Sequence, residues 1–263
     1  MTIRYRGVVG LLAILVLGAA GVARADTRDV ELYPHTPWLW RFSAVLGPQS
    51  YDGVARVEGE QGDFSSSLKD VADHTSFQMD VQVEGHGERL GMLFGLSYLS
   101  LYSTQEQGSS KPGLSAGILS VDALGSVGLG PWPVGTTTAG IEILGGGRLN
   151  RFDAELRPST GAHVRSDRDW VDPVVGGRVT VNFDIPLRLE VRGDWGGFGV
   201  GSATDLTTRF WGAAHYRLDP VIEVFAGYRM TDIKTQNQNG TTGSSLDARV
   251  SGPMIGLTFV LGG

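Results

Sequence analysis

The stretch "RLEVRGDWGGFGVG", residues 188–201, decides the architecture. Arg188, Glu190, Arg192 and Asp194 stand at every second position, and Leu187, Leu189, Val191, Gly193 and Trp195 occupy the alternate ones. A period of two belongs to an extended chain, whose successive side chains point to opposite faces. One face of this strand is apolar and the other carries four charges in succession. A soluble barrel turns such charges to water. A membrane barrel turns the apolar face to lipid and the charges into its lumen.

The alternation recurs along the chain. Phe77, Met79, Val81 and Val83 oppose Gln78, Asp80, Gln82 and Glu84, while Val171, Val175, Val179 and Val181 oppose Asp172, Arg178, Thr180 and Asn182. Strand-like segments fall at 38–46, 75–86, 90–103, 115–128, 137–153, 169–183, 186–198, 205–217, 220–235 and 246–261, ten in all. In the last one the apolar phase runs only from Ile255 through Leu257 and Phe259 to Leu261. Upstream, the same parity carries Asp247, Arg249 and Ser251, which places that part beyond a membrane.

Connections alternate strictly between short and long. "HGER" (86–89), "LGPWPVGT" (129–136), "DIP" (184–186) and "RLDP" (217–220) are short or marked by Pro and Gly. Residues 47–74, 104–113, 154–168, 196–204 and 236–245 are longer and polar. An up-and-down antiparallel barrel gathers the short turns at one end and the long loops at the other, as outer-membrane barrels do. Aromatic residues toward segment ends (Trp38, Tyr102, Trp132, Trp170, Phe183, Trp195, Tyr216, Phe259) suit interfacial girdles. Within 47–74, "VARVEG" and "DFSSSL" allow an extra hairpin and hence twelve strands; both are short for a crossing, so ten is preferred. Pro173 and Pro253 are placed near the outer rim, where a missing ladder donor is tolerable.

The N-terminus reads as an export signal. Arg4 and Arg6 precede an apolar run from Val8 to Ala20, and Ala23-Arg24-Ala25 forms a small-x-small site, with cleavage expected after Ala25. This divides the chain into a cleaved signal peptide (1–25), a lead-in (26–37) and a barrel (38–263). Cysteine is absent, which excludes a lipoprotein anchor and a disulfide framework. Cleavage removes three arginines, leaving 22 − 3 = 19 basic residues against 28 acidic ones, a net charge of −9. That balance argues against nucleic acid as a partner.

"DWVDPVVGGR" (169–178), "LRLEVRGDWGGFGVGS" (187–202) and "FAGYRMTDI" (225–233) resemble segments of bacterial outer-membrane β-barrel proteins of largely unassigned function. The resemblance covers most of 38–263 and implies a closed barrel in the outer membrane, inserted by the barrel-assembly machinery. The last strand, with Gly256, Phe259 and Leu261, is similar to the C-terminal assembly signal of such barrels, although it ends in Gly262-Gly263 rather than an aromatic residue.

By parity, Arg41, Asp80, Glu84, Asp122, Glu142, Arg148, Arg178, Arg188, Glu190, Arg192, Asp194, Arg209, Glu223 and Arg229 face the lumen. Their signs are balanced, whereas a strongly ion-selective pore shows one dominant sign. A barrel of this size is filled by its own side chains, and Arg–carboxylate pairs would plug most of it. A narrow small-solute path through the charged ladder is the competing reading.

Other motifs carry less. "HTS" at His74–Ser76 resembles the His-x-Ser pair of outer-membrane lipid hydrolases, but its parity points inward and Phe77 stands where those hydrolases have Asn. It reads better as a polar strand start. "GDWGGFGVGS" lacks the following helix that a phosphate loop needs. Five scattered histidines show no metal-ligand spacing, and no cofactor is expected. The expectation is an integral outer-membrane β-barrel surrounded by lipid, non-enzymatic, with a structural or surface-interaction role, or a narrow pore. The alternatives are an outer-membrane lipid-modifying hydrolase and an exported soluble ligand-binding barrel.

Overall fold

The computed structural model describes residues 38–57, 60–66, 77–103, 113–157, 164–199, 206–236 and 245–262. The expected signal peptide with Ala25, the lead-in and the His74–Ser76 pair lie outside them. The chain forms β1 (Leu39–Pro48), β2 (Ser50–Val57), β3 (Glu60–Ser66), β4 (Phe77–His86), β5 (Leu90–Ser103) and β6 (Gly113–Val134). It continues as β7 (Thr137–Arg157), β8 (Val164–Asn182), β9 (Leu187–Gly197), β10 (Leu206–Arg217), β11 (Ile222–Gln236) and β12 (Ser245–Leu261).

β1 pairs with β4, each strand from β4 to β11 pairs with its successor, and β12 returns to β1 from Trp40↔Leu261 to Leu46↔Ile255. All pairings are antiparallel, and the β1–β12 pairing closes ten staves into a barrel that has no free edge at the closure. The hairpin foreseen within 47–74 exists as β2–β3, but it adds no stave. β2 pairs with Ser245–Ser251 of β12 while β1 pairs with Ile255–Leu261, and only Gln49 separates β1 from β2. β2 thus prolongs the stave of β1 beyond the closure, with β3 alongside it.

The two prolines expected near the outer rim lie within strands, each just past the point where the ladder on one side ends. Pro253 lies opposite the β1–β2 break, and its carbonyl faces Gly47 in β1, so its missing N–H costs no ladder bond. Pro173 follows the last β8–β9 pair, Val174↔Gly196, where β9 has run out. Residues 129–134, expected in a turn, instead continue β6 through an irregularity between Leu129 and Trp132, and Gly135–Thr136 alone make the turn. The irregularity absorbs Pro131 without requiring its donor.

The opening stretch resolves its own question. In β9, Arg188, Glu190, Arg192 and Asp194 are only 6, 3, 3 and 2% exposed, whereas Leu189, Val191 and Trp195 are 40, 44 and 48% exposed. Phe94, Ile143, Val171, Phe210 and Ile255 continue the outward apolar surface on neighbouring staves. Between Asp232 and Arg249, above the β1–β12 closure, the outer face turns polar: Arg249 Nε donates to Asp232 Oδ1 at 2.6 Å. That bond holds the exposed guanidinium above its usual pKa. The tight turns (87–89, 135–136, 183–186, 218–221) share the opposite end. In the last of them Asp219 Oδ1 accepts the backbone N–H groups of Val221 and Ile222 at 2.7 and 2.8 Å.

Gly256 shows why a small residue is needed in the closing strand. A Cβ there would strike the Phe225 ring, its cross-strand partner, and approach the Ala44 carbonyl oxygen to 2.6 Å. The ring can rotate but the backbone of β1 cannot yield locally. Gly256→Ala is expected to lower stability by about 1–3 kcal/mol, the usual range for overpacking, read from urea unfolding of the refolded barrel.

Candidate functional site: the barrel lumen

Alternation delivers charged side chains from eight of the ten staves, all but β5 and β12, to one enclosed axis, where none can be left unpaired cheaply. The fourteen residues assigned inward all face it. Thirteen are buried, and Arg209 retains partial exposure.

Nearest the tight turns, Arg178 is the hub. Its Nη1 donates to Glu84 Oε2 at 2.6 Å and to Glu190 Oε1 at 3.3 Å, and its Nη2 to Glu142 Oε2 at 2.6 Å. One guanidinium from β8 therefore ties β4, β7 and β9 across the barrel, the fork geometry that arginine alone provides. Beside it Arg188 donates to Glu190 at 2.7 Å, to Glu223 at 2.9 Å and to His215 Nδ1 at 2.9 Å. Arg217 adds a 3.3 Å bond to Glu223 from the lower edge.

Toward the long loops a second tier centres on Arg148, which is fully buried. Its Nε donates to Asp122 at 2.6 Å and its Nη2 to Asp194 at 2.8 Å. Arg209 reaches Asp122 and Ser120, and Arg192 reaches Asp194. Asp172, also fully buried, accepts from Asn150 Nδ2 at 2.9 Å and from Trp170 Nε1 at 3.1 Å. On the β4 side, Arg229 pairs with Asp80, which also accepts from Gln78 at 3.1 Å.

Apolar side chains are interspersed with these charges. Leu93, Leu124 and Val174 form one cluster, and Val45, Ala213, Phe225 and Met254 another, with Trp211 packed against the second. Along β8, Val174 separates Asp172 from Arg178; along β6 and β7, Leu124 and Leu144 lie between the charges of the two tiers. These apolar side chains interrupt the charges on several staves, while β9 carries Arg188, Glu190, Arg192 and Asp194 through the lumen without a break.

Sequence reading missed several members. Trp170 belongs inside, bonded to Asp172, and not to an aromatic girdle. Its parity with Asp172 and Arg178 was the available signal. Parity also marks His86 and His215. His86 lies 3.0 Å from Glu84, and His215 stacks on Phe225 with ring centroids 4.6 Å apart. The described glycines of "GDWGGFGVGS", Gly193, Gly196, Gly197 and Gly199, are strand and turn: β9 runs to Gly197, and Phe198 and Gly199 follow with φ of 56° and 64°. In the proposed assembly signal, Gly256 lies beneath Phe225, while Phe259 and Leu261 pair with Phe42 and Trp40 of β1.

Comparison with solved structures finds bacterial outer-membrane β-barrel proteins. The outer membrane protease OmpT from Escherichia coli matches with a TM-score of 0.55 at 10% identity, covering 89% of this chain and all of that one. The outer membrane protein OprG from Pseudomonas aeruginosa matches at 0.41 with 10% identity, over 89% of this chain and 100% of its own. Neisserial surface protein A matches at 0.35 with 10% identity, over 84% and 96%. No family model and no curated protein matches the sequence. The chain has the fold of bacterial outer-membrane β-barrels.

Proposed function

We propose that this protein is an integral, non-enzymatic outer-membrane barrel whose lumen is a structural core, with its role carried by the surface it presents at the long-loop end. The observation that carries this reading is the Arg178 hub, which spans the lumen from β8 to β4 and leaves no aligned row of single-sign charge. Lipid surrounds the exposed apolar staves. Gly256, Phe259 and Leu261 serve as the signal read by the assembly machinery, and residues 1–25 as the export signal cleaved after Ala25.

Single-channel recording of residues 26–263 in a planar bilayer tests the closed lumen. The expected trace is silent at moderate voltage while protease protection shows the barrel inserted. Discrete, reproducible openings that shift with Glu190→Ala would overturn the structural reading in favour of a narrow solute path.

A further inference from the structure

The lumen holds an unequal set of unused groups. Among the described residues, the buried side-chain nitrogens and oxygens without a hydrogen-bond partner include a single acceptor, Gln49 Oε1; the others are donors on arginines and on His215. Four of the donor-bearing residues, Arg41, Arg188, His215 and Arg229, line one cavity of about 50 Å³ between β1, β4 and β9–β12. A single water needs roughly 10–15 Å³ of such space, so several waters, or one small ion with water, fit.

Arg41 is the distinctive member. It is only 7% exposed, its Nε has no partner, and it forms no ion pair among the described residues. Its cross-strand neighbour is Glu84, yet that carboxylate is drawn away to Arg178 at 2.6 Å and His86 at 3.0 Å. The other carboxylates on the cavity wall are engaged too: Asp80 by Arg229, and Glu190 by Arg178 and Arg188. His215 accepts from Arg188 at Nδ1, which leaves its Nε2 as an N–H donor, also without a partner. Facing these donors is an apolar wall of Val45, Trp211, Phe225 and Met254.

Cationic donors on one side and apolar side chains on the other suit a ligand that accepts hydrogen bonds at one end and has a methyl-sized remainder. We infer that this cavity binds a small monocarboxylate anion of acetate size, with its oxygens on Arg41 and its alkyl end against Phe225 and Met254. Charge-assisted bonds to an otherwise idle guanidinium supply the driving force.

The test is thermal unfolding of the refolded barrel in non-ionic detergent at fixed ionic strength, with sodium acetate replacing sodium gluconate, which is too large for the cavity. A saturable rise of roughly 2–5 °C is expected, abolished in Arg41→Gln and reduced in Arg41→Lys. Line broadening of carbon-13-labelled acetate by the wild-type barrel, with none for labelled gluconate, gives a second readout should Arg41→Gln fail to fold. Equal melting in the two salts with no broadening, or an undiminished acetate response in Arg41→Gln, would overturn the site and leave water as the occupant. Channel activity in the bilayer recording leaves this test intact, because binding is read from melting and line width and not from current.

Discussion

Arg178→Ala is expected to lower the unfolding free energy by about 3–5 kcal/mol, the range for removing one partner of a buried ionic cluster. The side chain is 3% exposed and bonds to Glu84, Glu142 and Glu190; without it Glu190 keeps Arg188, but Glu84 and Glu142 are left with His86 alone. The loss comes less from the attraction forfeited than from charges left without a counter-ion. Two further variants separate these causes. Arg178→Lys keeps the charge but offers a point in place of a fork, and should recover only part of the stability. Arg178→Met combined with Glu142→Leu should cost less than Arg178→Met alone, because one stranded carboxylate is gone; an additive outcome would show that the two residues are not coupled. Reversible urea unfolding in lipid vesicles, followed by tryptophan emission, provides the measurement. If Arg178→Ala unfolds at the wild-type midpoint, the hub contributes nothing and the description of the lumen as a structural core fails.

Outside the barrel, Val191→Arg is expected to cost about 2–4 kcal/mol, the depth-dependent penalty for a cation at the middle of a bilayer. Val191 is 44% exposed and faces its cross-strand partner Val179, which is 43% exposed, in the apolar outer surface. Its charged neighbours along β9, Glu190 and Arg192, point the other way and cannot reach a new outward guanidinium. Asp247→Arg, on the polar upper part of β12, should change the same unfolding midpoint little. The contrast between the two sites tests the medium directly. In a water-soluble barrel both would be nearly neutral, and Val191→Arg would improve solubility; an equal, small effect at both positions would therefore remove the membrane.

Much of this protein is written in period two. "RLEVRGDWGGFGVG" alone distinguishes an apolar from a charged face, and the strict alternation of short and long connections turns ten such strands into an up-and-down barrel. These features are local: the parity of a strand follows from backbone geometry whatever the neighbours do. The fourteen inward charges were legible for that reason, and Trp170, His86 and His215 could have been read by the same rule. Local pattern failed where the ladder is irregular. Pro253 is tolerated within β12 because the β1–β2 break faces it, and the β2–β3 hairpin lengthens an existing stave because β2 pairs with Ser245–Ser251 of β12, beyond the segment that β1 closes.

What the tertiary structure alone decided is who pairs with whom. Arg41 and Glu84 are cross-strand neighbours, yet Glu84 goes to Arg178, ninety-four residues away in sequence, and Arg41 is left facing a cavity. Parity states that a side chain enters the lumen but not which of several opposite charges it meets there. That choice depends on barrel diameter, stagger and the reach of each side chain across the axis, which exist only once the sheet has closed.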